Sequence, residues 1–135
     1  LRGLKGKGKK YEGQVLASLD RRYPGCLIPL PWIRFWEGRQ ERWAQPDGLL
    51  VFPEGRVHIV EVKLRHTPQA WFQLVEVYSP LIRTLFPEEL WEIRLNEVVR
   101  WYDPMVVFPG KCVLRPSLEE AGPNEVGVTI WTRDP

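Results

Sequence analysis

Apolar residues recur at helical spacing near the start of the chain, where Val15, Leu16 and Leu19 share one face. Pro24-Gly25 closes that run, so the pattern predicts a helix over 9–22. Glu12 stands three, four and seven positions before those residues and falls on the inward stripe. A carboxylate there is costly unless a lysine, a backbone donor or a metal ion meets it. From 26 to 36 the chain is rich in Ile, Leu, Trp and Phe but broken by Pro29 and Pro31, which reads as an edge-like strand ending at a Glu37-Gly38 turn. A short strand over 41–44 and a buried strand over 49–52 follow, then a turn at Pro53-Glu54-Gly55. The clearest strand is 57–64. These segments predict an antiparallel meander of three or four strands.

Thr67-Pro68 is a helix start, with Thr as cap and Pro in the first turn. Trp71, Leu74, Val75, Tyr78, Leu81 and Ile82 continue as a helical stripe facing the sheet, and Pro80 predicts a kink or break near Ser79. The stretch 90–101 is ambiguous, with a strand favoured at 91–95; further short strands are expected at 106–108, 112–114 and 126–131. The fold class is α/β (α+β): a mixed central sheet flanked by helices, with a β-rich C-terminal extension.

At 135 residues the chain is long enough for one core, and 44% apolar with 27% charged residues is ordinary globular composition. No apolar run reaches membrane-spanning length and no secretory signal is recognisable, so a cytoplasmic protein without membrane contact is expected. Cys26 and Cys112 fit no metal or redox spacing and read as buried free thiols. The seven tryptophans read mostly as core and sheet-packing residues, with one or two left for DNA contact. Net charge is only +2, but Arg2, Lys5, Lys7, Lys9 and Lys10 crowd the first ten residues among glycines. That segment, 1–10, is expected as a flexible basic arm before a single domain over 11–135. Its lysines Lys5, Lys7, Lys9 and Lys10 suit phosphate contacts or a solvated tail. Gly3 to Lys9 also spells G-x-x-x-x-G-K, but Lys10 stands where Ser or Thr belongs and no strand precedes it, so no nucleotide cofactor is expected.

Chemistry concentrates between 46 and 63. Alternation along the strand puts Glu61 and Lys63 on one face and Val60, Val62 and Leu64 on the other. Taken alone, Glu-x-Lys is most often a surface ion pair and Pro-Asp-Gly an ordinary turn. Here Asp47 opens one strand and the next delivers Glu61 and Lys63, so a hairpin of this length brings Asp47 beside them. Two carboxylates beside a lysine make a seat for Mg²⁺, which favours oxygen ligands, and Lys63 is then placed to position or deprotonate water or to stabilise developing charge.

Pro46-Asp47 followed by Glu61-Val62-Lys63 resembles the PD-(D/E)XK nuclease superfamily, over about 11–78. The order of elements is similar as well: helix, meander, motif strand, helix. The resemblance implies a restriction-endonuclease-like αβββαβ core and a metal-dependent DNA endonuclease acting on phosphodiester bonds. It implies Mg²⁺, with Mn²⁺ substituting, on Asp47, Glu61, the main-chain carbonyl of Val62, and Glu12. It also implies a glutamine on the following helix. Gln73 is the candidate and Gln69 the neighbouring one, although Gln73 falls off the apolar stripe of an ideal helix. A tyrosine four residues after it would fall on Val77, one short of Tyr78. Compact size, the Lys/Gly-rich start and Glu12 look most similar to Holliday-junction resolvases and other small phage or mobile-element endonucleases, for which branched DNA and a homodimer are implied.

Two other readings stay open: a non-catalytic DNA-binding or assembly domain of this fold, and a nuclease subunit active only inside a recombination or transposition complex. A histidine-based nuclease is disfavoured, since His58 shares a face with Val60 rather than with Glu61.

Overall fold

A computed structural model describes residues 2–106 and 110–132, with side chains from residue 6 onward. The order of elements is α1 (Arg2–Arg22), β1 (Leu27–Pro29), a hairpin of β2 (Ile33–Glu37) and β3 (Gln40–Ala44), β4 (Gly48–Phe52) and β5 (Arg56–Arg65). Next come α2 (Pro68–Phe72), a π-helical segment (Gln73–Tyr78), α3 (Ser79–Leu85), β6 (Glu92–Trp101), β7 (Cys112–Leu114), a 3₁₀ turn (Leu118–Glu120) and β8 (Val126–Ile130). Six strands form one mixed sheet in the order β1-β4-β5-β6-β8-β7, and β2-β3 is a separate two-stranded sheet. The β1–β4 and β4–β5 pairs are antiparallel. The β5–β6, β6–β8 and β7–β8 pairs are parallel.

Each face of the sheet is covered. On one, Tyr11, Val15 and Leu19 of α1 pack on Leu50, Val60, Val62 and Val98. On the other, Leu74, Tyr78 and Ile82 pack on Leu49, Val57, Ile59 and Ile93, with Ile33 and Ala44 of the hairpin joining them. The mixed α/β class with a flanked central sheet is therefore as expected. No helix among the described residues is long and apolar enough to cross a membrane.

Several boundaries differ from the expectation. The first helix begins at Arg2 rather than at residue 9, so 2–10 is helical instead of a flexible arm. Once the packed half of α1 is nucleated, each further residue adds one backbone hydrogen bond, and no proline stands in the way. The single strand expected over 26–36 is two, because Leu30, between Pro29 and Pro31, takes a φ of 47° and turns the chain. A leucine enters that left-handed region at a cost of roughly 1–3 kcal/mol. The ambiguous 90–101 stretch is mostly the ten-residue strand β6, and the strand expected at 106–108 falls largely outside the described residues.

Thr67 caps α2 as expected, its side chain accepting from Ala70 N. The break expected at Pro80 takes the form of the π-helical segment just before it. Proline lacks the N–H of a regular ladder and crowds the carbonyl four residues back, and a wider turn relieves both. The tryptophan expectation fails: Trp32, Trp36, Trp43 and Trp101 are exposed. The first three belong to or adjoin the hairpin, whose inner side is occupied by Ile33 and Ala44. The thiols are free, and half-buried rather than buried.

Candidate active site

The β4–β5 ladder stops at the pair Gly48–Val60, while β5 runs on to Arg65. Asp47 therefore stands where the next partner of β5 would be. Its Oδ2 accepts a hydrogen bond from Val62 N at 2.7 Å, and its own N–H donates to Glu61 Oε1 at 3.1 Å. Lys63 Nζ lies 3.7 Å from Glu61 Oε2, with Glu61 buried and Lys63 reaching solvent. The hairpin thus brings Asp47, Glu61 and Lys63 together, as its length predicted.

The position of Asp47 is held from three directions. Leu30 N donates to Asp47 O at 2.9 Å, Gln45 Nε2 donates to Leu30 O at 2.9 Å, and Tyr78 Oη donates to Gln45 O at 3.1 Å. The strained Leu30 turn is thereby tied to the residue that most needs fixing, as strain at functional positions often is.

Glu12 comes from the other face. A Cβ on Gly48 would meet Leu16 at 3.3 Å and Leu27 at 3.2 Å, so the glycine lets α1 lie close against β4. Leu16 is one helical turn past Glu12, and that approach carries Glu12 to the end of the sheet. There its carboxyl shares a hydrogen bond with Asp47. Burial, and then the Asp47 charge, raise the Glu12 pKa. Burial raises that of Asp47, despite the Val62 N–H and Lys63. Burial and the neighbouring Asp47 push Glu61 up to about 8. Three carboxyls face one ammonium, so the cluster retains protons that an added cation would displace.

Among the described residues, no three His, Cys, Asp or Glu side chains form a ready-made metal cage. Mg²⁺ asks for less, since it commonly takes one or two carboxylates and keeps several waters. Asp47 and Glu61 meet that requirement. Val62 adds a carbonyl on the same side of β5 as the N–H that Asp47 holds, because both groups of one strand residue point the same way. The donor set is all oxygen and short of positive charge, so it fits a hard divalent ion.

No family model, no curated protein and no solved structure matches this chain. The geometry of the site itself therefore carries the functional reading.

The second helical layer supplies two further groups. Bonding from i to i+5 in the π-helical segment places Gln73 and Tyr78 one turn apart on a common side. In a regular α-helix a five-residue spacing would put them on different sides. Gln73 Oε1 is buried and has no hydrogen-bond partner among the described residues, whereas Gln69 is exposed. Tyr78 is buried, and its hydroxyl pKa is raised by burial and by the charges of Glu61 and Asp47. Lys7, Lys9 and Lys10 are exposed on α1, and the Lys5 side chain lies outside the described residues.

A neighbouring pair was not anticipated. Glu97 on β6 is in register with Glu61, and its Oε1 lies 2.6 Å from His66 Nδ1; both residues are buried. Burial pushes Glu97 up to about 8 and His66 down to about 4, so the pair holds one proton near neutrality. The available signal was Asn96-Glu97 set inside the apolar run Leu95 to Val99, a polar interruption that a buried strand does not carry idly. Asn96 accounts for itself structurally: its Oδ1 lies 2.7 Å from His58 Nδ1 and its amide donates to Leu118 O at 3.1 Å, on the α1 face. His58 accordingly lies with Val60, away from the acids.

Proposed function

We propose that this chain is a metal-dependent DNA endonuclease of restriction-endonuclease-like fold, hydrolysing phosphodiester bonds in branched DNA. One observation carries the reading: Asp47, Glu61 and Lys63, fourteen and two residues apart, are joined through direct contacts at the open end of a strand pair. The order α1, β1, β4, β5, helical layer, β6 supports the fold assignment once the β2–β3 hairpin is read as an insertion.

Asp47, Glu61 and the Val62 carbonyl would hold Mg²⁺, with Mn²⁺ as a substitute, and Glu12 would add negative charge beside Asp47. A divalent ion there would supply positive charge against the scissile phosphate and lower the pKa of a bound water, so that hydroxide is available as nucleophile. Lys63, anchored by Glu61, donates to a phosphate oxygen as charge builds on it. Tyr78 stands near the acids and fixes the Gln45 to Asp47 segment. Lys7, Lys9 and Lys10 extend a cationic surface from α1 along which the DNA backbone lies. Paired cuts would require two copies of the chain about a twofold axis.

A second reading, a nuclease subunit active only within a larger assembly, is favoured by the exposed Trp32, Trp36 and Trp43 on and beside the hairpin. The test separates chemistry from binding. Lys63→Ala should abolish cleavage and leave DNA affinity within about twofold, because surface contacts made by one lysine contribute little to a many-phosphate interface. Wild-type cutting rates in that variant would remove Lys63 from the mechanism and the reading with it.

A further inference from the structure

Beside the acid cluster, the first turns of α1 and the end of β6 enclose an open cleft of about 450 Å³, lined by Lys7, Lys10, Gln14, Arg100 and Trp101. That volume is within the range of sites that take small planar ligands. Tyr11 closes its floor: the ring packs 5.8 Å from Trp131 and the hydroxyl donates to Trp131 O at 2.8 Å.

Trp101 is half exposed, and two guanidinium groups approach its ring. Arg100 lies 5.2 Å from the ring centroid and Arg65, its register partner on β5, lies 5.9 Å away. Lys7, Lys10 and Arg100 line the cleft together with this half-exposed indole, and the residues lining the cleft include no carboxylate. Burial alone would not leave a tryptophan half exposed at a strand end among arginines; the combination is that of a stacking surface set in a phosphate-binding rim.

We propose that this cleft binds single-stranded DNA, with an unpaired base stacked on Trp101 and the adjoining phosphates held by Lys7, Lys10 and Arg100. A duplex keeps its bases stacked on one another, so only an unpaired nucleotide can use the indole. An acidic peptide would satisfy the cations and leave the ring idle.

The strand that carries Trp101 lies next to the strand that carries the acids. Trp101 is four residues beyond Glu97 on β6, and Glu97 is level with Glu61. At ~3.3 Å per residue the separation is about 13 Å. Tyr11, which lines the cleft, adjoins Glu12 on α1. An unpaired base held on Trp101 thus fixes a phosphate a few nucleotides away at Asp47 and Glu61. This deepens the nuclease reading and rests on it for the cutting step: the substrate class is DNA with a single-stranded segment next to the cut.

Fluorescence anisotropy with a dye-labelled single-stranded oligonucleotide, and with a blunt duplex of the same sequence, tests the cleft without divalent cations. The wild type should bind the single strand about tenfold more tightly than the duplex, Trp101→Ala should lose about tenfold on the single strand alone, and Trp101→Phe should recover most of that loss. Equal affinities for wild type and Trp101→Ala, or competition by polyglutamate as effective as by single-stranded DNA, would overturn the proposal. The two readings fail separately. Absence of cutting with this binding pattern intact removes the nuclease and keeps the cleft. Cutting lost in Asp47→Ala, with Trp101→Ala binding like wild type, does the reverse.

Discussion

Glu61 concentrates the energetic tension of the molecule in one side chain: it is 2% exposed and shares its space with a second carboxyl and an ammonium. Its pKa, near 4.5 when unfolded, is pushed up to about 8 in the folded chain, and Glu97 behaves likewise. Over that window the folded state binds more protons than the unfolded state, so these groups lower stability as pH rises. His66, pushed down to about 4, acts oppositely between 4 and its ordinary 6.5. The net decline without metal is therefore expected mainly from pH 6.5 to 8. Thermal melts across that range should show it, and Glu61→Gln should flatten it. Adding Mg²⁺ at pH 8 should raise the wild-type Tm and leave that of Glu61→Gln nearly unchanged, since binding to the folded state alone stabilises it. A Tm increase of equal size in both proteins would place the ion elsewhere. Asp47, Glu61 and Lys63 were readable from sequence because strand alternation and hairpin length are short-range geometry. Glu97 and His66 were not, since their pairing depends on β6 lying beside β5, a parallel contact across an intervening helical layer.

At the level of elements, glycine and proline set the positions that chemistry uses. Gly48 suits the close crossing of α1 over β4, where a Cβ would crowd Leu16 and Leu27, whereas a Cβ at Gly6 or Gly8 would touch nothing within 4 Å. Gly6→Ala and Gly8→Ala should each stabilise the protein by about 0.5–1 kcal/mol, visible as a higher Tm. No change in either would mean that the first turns of α1 are not helical in solution. Gly48→Val should instead destabilise and draw Glu12 away from Asp47, raising the Mg²⁺ concentration needed for half-maximal Tm shift. An unchanged requirement would separate Glu12 from the metal. The inward position of Glu12 followed from periodicity alone. That of Gln73 did not, because a regular 3.6-residue turn points it outward and only the widened turns ahead of Pro80 bring it level with Tyr78. The start of α1 was misplaced for a related reason: local propensity weighs each glycine against helix, and the cooperativity of a helix already packed along 11–19 outweighs it.

Across the whole molecule, charge is distributed where overall composition conceals it. The net value of +2 averages a cationic surface on α1 and the ends of β5 and β6 against the acids buried beside it. Removing residues 1–10 should weaken DNA binding for every sequence and make the slope of log affinity against log salt shallower by about two to four, the count of lysines removed that reach phosphate. An unchanged slope would remove α1 from the interface. The central claim is tested most directly by incubating the protein with supercoiled plasmid, a four-way junction and single-stranded DNA, each with Mg²⁺, Mn²⁺ or chelator, beside Asp47→Ala. Metal-dependent cutting is expected, strongest on the branched substrate and absent in the variant. Cutting that survives Asp47→Ala, or intact binding with no cutting of any substrate under any metal, would contradict it.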